Sequence, residues 1–190
     1  MAGVFYKHVY ETNVVWDKPY IVCANHTSNL DIAAITGIMH GNFAFLGKEE
    51  LLRNPVLSIF FKTIDIPVNR DSKIASFRAF KKADEYLENK LSLVIFPEGK
   101  IGYEYPPILH PFKNGPFRLA IDRGIPIIPV TIDCLWELMW DDGFVHGSKP
   151  GVRTLFVHAP IETTGMTADD ADTLKELVYA KLQENSFIKS

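Results

Sequence analysis

The sequence holds little cysteine: Cys23 and Cys134 in 190 residues, both inside apolar runs. Two thiols so placed are expected to be buried and free rather than bridged, which fits a reducing compartment. No Cys/His spacing suits zinc, and no metal is expected. The chain also lacks a positive field. Twenty Lys and Arg stand against 23 Asp and Glu, a net charge of −3, which sets nucleic acid aside as a partner. It lacks an apolar run long enough to cross a bilayer: the uncharged stretch 32–47 contains His40 and Asn42 and falls short of the ~20 residues needed. Residues 1–20 show no signal-peptide pattern. No Gly-x-Ser-x-Gly is present, so a serine-hydrolase elbow is excluded.

What remains is ordinary globular composition, 47% hydrophobic and 23% charged. The length suits one domain, 1–190, with a substantial core. Strands are expected at 4–10, 19–24, 43–48, 64–70, 91–99, 125–133 and 152–162. Helices are expected at 28–40, 71–90, 115–124 and 167–186, with two short helical pieces in 49–64 broken before Pro55. Residues 134–143 are ambiguous. In 71–90, Ile74, Phe77, Phe80 and Leu87 mark the apolar face. The alternation predicts an α/β fold: a single domain with a largely parallel or mixed central sheet flanked by helices. The irregular stretch 100–115 is longer than most connections and is a functional-loop candidate.

The segment "CANHTSNLDIAA" (23–34) sets His26 five residues before Asp31. Ser28 reads as an N-cap, and Asp31 as a carboxylate favoured at a helix start. That reading explains Asp31 but leaves His26 idle. In the functional reading, Asp31 accepts the imidazole Nδ1–H and leaves Nε2 free to take a proton from a hydroxyl. Taken alone, the spacing favours the simple cap. A second stretch, "LVIFPEGK", places Glu98 just beyond another buried strand, with Gly99 allowing close backbone approach. Ligands bind at the carboxyl ends of parallel strands, where His26, Asp31 and Glu98 would all emerge. "IPVNRD" puts Arg70 at a third strand end, and "IPIIPV" (125–130) is a proline-bearing core strand.

Together, in this order, these four stretches resemble the glycerolipid acyltransferase family, typified by 1-acylglycerol-3-phosphate acyltransferases. The likeness covers roughly residues 20–135, and "PFKNGPFRLA" (111–120) extends it. The resemblance implies a catalytic dyad of His26 and Asp31. It implies a substrate-binding set of Arg70, Glu98, Gly99, Lys100 and Lys113. It also implies the family's α/β fold and O-acyl transfer. The acyl donor would be a thioester of CoA or acyl carrier protein, with no other cofactor. The acceptor would be a lysophospholipid, foremost 1-acylglycerol-3-phosphate. Glu98 is expected to accept a hydrogen bond from an acceptor hydroxyl. Where the family has Thr-Arg after FPEG, this chain has Lys100 and Ile101. Lys100 is a point charge rather than a fork, which opens the choice of acceptor. Alternatives are transfer to another lysolipid, a dyad thioesterase and a non-catalytic lipid-binding module.

The lipid would arrive from a membrane, with Tyr103, Tyr105 and Trp140 as the expected interface residues. The expected location is the cytoplasmic face of a membrane, held peripherally. Many relatives carry hydrophobic helices ahead of the dyad, and 25 residues precede His26 here. The chain is therefore expected to be a short member or to be anchored by an upstream segment.

Overall fold

The structure, a computed structural model, describes residues 3–48, 65–68, 73–104, 106–139 and 147–184. Seven strands form one sheet in the order β1-β7-β6-β2-β5-β3-β4. They are β1 (Val4–Tyr10), β2 (Ile21–Ala24), β3 (Phe43–Lys48), β4 (Ile66–Val68), β5 (Ser92–Ile95), β6 (Ile127–Ile132) and β7 (Gly151–Val157). Five neighbours, β6, β2, β5, β3 and β4, run parallel. Strands β1 and β7 are parallel to each other and antiparallel to β6, so the sheet is mixed.

The central strands β2, β5 and β6 are apolar but for Ser92 and Thr131, and buried along their length, because both faces are covered. Val22 and Ala24 look toward α1 (Leu30–Thr36), packing with Ala34, Ile35 and Ile132. Ile21 and Cys23 look the other way, into a cluster shared with α2 (Lys73–Glu88), α3 (Gly115–Arg123) and α4 (Ala171–Glu184). Alternation along one strand thus assigns its side chains to opposite layers. Helix α3 stops at Gly124, whose φ of 59° is the left-handed conformation glycine tolerates. Arg123 in its last turn pairs with Asp84 and Glu88 and ties α3 to α2.

Several boundaries and faces differ from expectation. Helix α1 is shorter than 28–40, and Asn29, just before it, makes no side-chain cap bond; the Ser28 hydroxyl accepts the Leu30 N–H (3.2 Å), the capping contact expected of it, and donates to the Met139 carbonyl (2.7 Å). The ambiguous stretch after Cys134 holds a 3₁₀ turn, Leu135–Glu137. Cys23 is buried, Cys134 only half-buried, and both thiols are free. In α2 the buried residues are Ala79, Ala83 and Leu87, while Ile74 and Phe77 are exposed. Small alanines let the helix lie close to the sheet, so the tight face is not the one with the largest side chains. The helical pieces expected in 49–64, and Arg70, Tyr105 and Trp140, lie outside the described residues. Among the described residues, no helix is long and apolar enough to cross a membrane.

Candidate active site

Strands β2 and β5 are neighbours in parallel register, with Cys23 opposite Ile95. Two residues past the end of β2 stands His26; three past the end of β5 stands Glu98. The topology therefore brings residues 72 positions apart to one sheet edge.

The turn after β2 is held by its own side chains. Asn25 continues the ladder to β6 in place of backbone: its Nδ2 donates to the Ile132 carbonyl (3.0 Å) and its Oδ1 accepts the Ile132 N–H (2.7 Å). The main chain is then free to turn away. Asp31, in the first turn of α1 and fully buried, gathers that turn onto one oxygen. Its Oδ2 accepts the N–H groups of Thr27 (2.7 Å) and Ser28 (2.9 Å) and lies 3.0 Å from His26 Nδ1. A carboxylate can only accept, so Nδ1 carries the proton and Nε2 presents its lone pair. The His26 side chain keeps 14% exposure while that of Asp31 keeps none. The imidazole reaches the surface, and the carboxylate does not.

The imidazole plane is fixed from the side by Phe96, stacked on it at 4.0 Å between centroids and 14° between planes. Phe45 continues the stack behind Phe96. Nothing in the sequence around Phe96 signals this ring contact with His26, which follows from adjacent strand ends.

Glu98 is 4% exposed. Its Oε1 accepts the His26 N–H (2.8 Å) and its Oε2 the His110 N–H (2.9 Å). Each oxygen already holds a backbone donor, so the carboxylate clamps the dyad turn to the 100–114 loop. His110 was not singled out in the sequence; the length of its loop was the only signal. Burial pushes the Glu98 carboxyl up to about 8, opposed by these two N–H bonds and reinforced by Asp31. Gly99, at φ 82°, closes the turn with its N–H on the Phe96 carbonyl (3.0 Å). Lys113 donates its backbone N–H to Pro97 (2.9 Å), which staples the far end of the loop to the same turn. The side chains of Lys100 and Lys113 are exposed. His26, Asp31, Glu98 and Gly99 are thus assembled at one edge, with Lys100 and Lys113 flanking them on the chain.

A model of the acyltransferase family matches residues 7–133, more than half of the chain and all of this edge. The chain belongs to the acyltransferase family. Among curated relatives, it is 31% identical over 159 residues to an acyltransferase of Schizosaccharomyces pombe, covering 83% of this chain and 56% of that protein. It is 31% identical over 194 residues to the 1-acyl-sn-glycerol-3-phosphate acyltransferase of Saccharomyces cerevisiae, covering 95% and 63%. This acyltransferase-family chain therefore spans about three fifths of the length of those relatives. The crystal structure of the 1-acyl-sn-glycerophosphate acyltransferase PlsC of Thermotoga maritima superposes with a TM-score of 0.74 at 27% identity, over 93% of this chain and 71% of that one. The α/β acyltransferase fold expected from the sequence is the fold observed.

Proposed function

We propose that the chain is the catalytic part of an O-acyltransferase that moves a fatty acyl group from a CoA or acyl-carrier-protein thioester to a lysophospholipid hydroxyl. The acceptor it fits best is 1-acylglycerol-3-phosphate, giving phosphatidate. The observation carrying this reading is the 3.0 Å His26–Asp31 contact, which leaves Nε2 with its lone pair on a side chain that keeps 14% exposure. Nε2 takes the acceptor proton, the oxygen attacks the thioester carbonyl carbon, the C–S bond breaks, and His26 returns the proton to the thiolate. A thioester is already activated, so no covalent enzyme intermediate is required. Asp31 supports the imidazolium formed on the way.

Glu98, by clamping two loops, sets the distance between His26 and the groups that receive the acceptor. Lys100, Lys113 and Arg70 are the proposed partners of an acceptor phosphate. The names of relatives such as the yeast enzyme support the choice of acceptor. We place the reaction at a membrane surface facing a reducing compartment, in keeping with the free thiols. Mass spectrometry of products from acyl-CoA and a panel of lysolipids tests the assignment. The expected product is phosphatidate. A product from a neutral lysolipid alone would move the chain to another acceptor class, and free fatty acid alone would make it a thioesterase.

A further inference from the structure

Helix α2 carries two unlike faces. At about 100° per residue, Ala79, Ala83 and Leu87 form one stripe, buried in the core beside β4 and β5. Ile74, Phe77, Arg78 and Lys81 follow the i, i+3, i+4, i+7 spacing and form a second stripe roughly opposite. Ile74 is 68% exposed and Phe77 72%. Arg78 and Lys81 are exposed as well, with no ion pair among the described residues. Two turns on, the same face carries Glu85 and Glu88, so it is apolar and cationic at one end and acidic at the other.

Cations in the first half of a helix oppose its dipole, and bare Ile and Phe contribute nothing to the core. Helix stability therefore does not account for this end of α2. Its position does suggest a use. Helix α2 begins a few residues after β4, which is parallel to β3 and, through it, to β5. The apolar, cationic end therefore lies at the sheet edge that holds His26 and Glu98, and the acidic end points away. Tyr103, on the loop leaving β5 at this same edge, is 90% exposed.

We propose that this face of α2 is a membrane-docking surface that seats the active-site edge on an anionic lipid bilayer. Ile74 and Phe77 enter the interfacial layer, and Arg78 and Lys81 meet lipid phosphates. The charge gradient along the helix favours a bilayer met end-on, because a surface laid along the whole helix would repel the exposed Glu85, while Glu88 is already held by Arg123. The inference rests on the proposed lipid acceptor only in that such an acceptor must be drawn from a membrane.

Sedimentation of the 190-residue chain with vesicles tests it. The probes are vesicles of phosphatidylcholine alone and of phosphatidylcholine with phosphatidylglycerol. The parent should bind the anionic vesicles and release them as salt rises. I74S/F77S should lower binding roughly tenfold or more. R78Q/K81Q should remove the preference for anionic vesicles, at roughly fivefold per cation. Melting temperatures should be unchanged or higher in both variants. Parental binding in both variants would overturn the proposal. So would a lower melting temperature in I74S/F77S, which would show this face covered by the chain itself. So would a parent that ignores every vesicle and takes an acidic protein instead. Docking needs no turnover, so loss of transfer with intact binding speaks against the enzymatic reading alone.

Discussion

Glu98 is the residue on which the site's geometry turns, because one side chain fixes two loops. Glu98→Gln puts an amide N–H₂ against one of the two backbone donors, and Glu98→Ala leaves both without a partner. An unmet buried N–H costs about 1–3 kcal/mol, so denaturant melts should rank parent, then Gln, then Ala. The pH dependence has a definite sign. In the unfolded chain the carboxyl gives up its proton near 4.5, whereas burial holds it in the folded chain up to about 8. The folded state binds the extra proton between those values, so the contribution of Glu98 to stability falls as pH rises through that window. The slope should vanish in Glu98→Gln. Lys100 gives a second prediction at this scale. Lys100→Ala should weaken phosphate-bearing acceptors roughly tenfold to a hundredfold, with little effect on neutral lysolipids. Equal loss for both would remove Lys100 from the headgroup. The spacing of His26 and Asp31 alone favoured a helix cap, and the pair was legible only through the four stretches taken together; the 3.0 Å contact between them is what the structure adds. The bonds of Glu98 to His110, and of Asn25 to Ile132 across 107 residues, were not legible. They depend on which strand ends become neighbours.

Among the elements, strands and helices read well where periodicity is strong, and α2 shows where it misleads. Large apolar residues at Ile74 and Phe77 looked like the core face, yet the sheet packs against Ala79 and Ala83. Ala83→Leu should therefore destabilise by about 1–3 kcal/mol through overpacking. A thermal melt checks this, and an unchanged melting temperature would mean the helix stands farther from the sheet than described. Parallel strands were foreseeable from the strand–helix alternation. The reversed pair β1 and β7 was not, since nothing local in "VFYKHVY" or "VRTLFV" states the direction of a distant neighbour.

For the whole molecule, the buried His158 ties β6 to the end of β1. His158 Nε2 lies 2.9 Å from Thr131 Oγ1, and its Nδ1 is 3.4 Å from Glu11 Oε2. Burial holds His158 below the ordinary histidine range; Glu11 and Glu184 oppose the shift, while Lys181 adds to it. The unfolded chain protonates near 6.5 and the folded chain only lower. The stability this provides is intact above about 6.5 and is lost as pH falls toward the folded value. His158→Gln should extend the stable range to lower pH in acid-unfolding curves, and an unchanged acid limb would assign it to other groups. Whether His26 is the base in acyl transfer to an acceptor hydroxyl is decided by thiol release from acyl-CoA. The measurement compares the parent and His26→Ala, each with and without 1-acylglycerol-3-phosphate. Release should require the acceptor in the parent and be absent from a folded His26→Ala. Release that ignores the acceptor, or that survives without His26, would contradict that assignment.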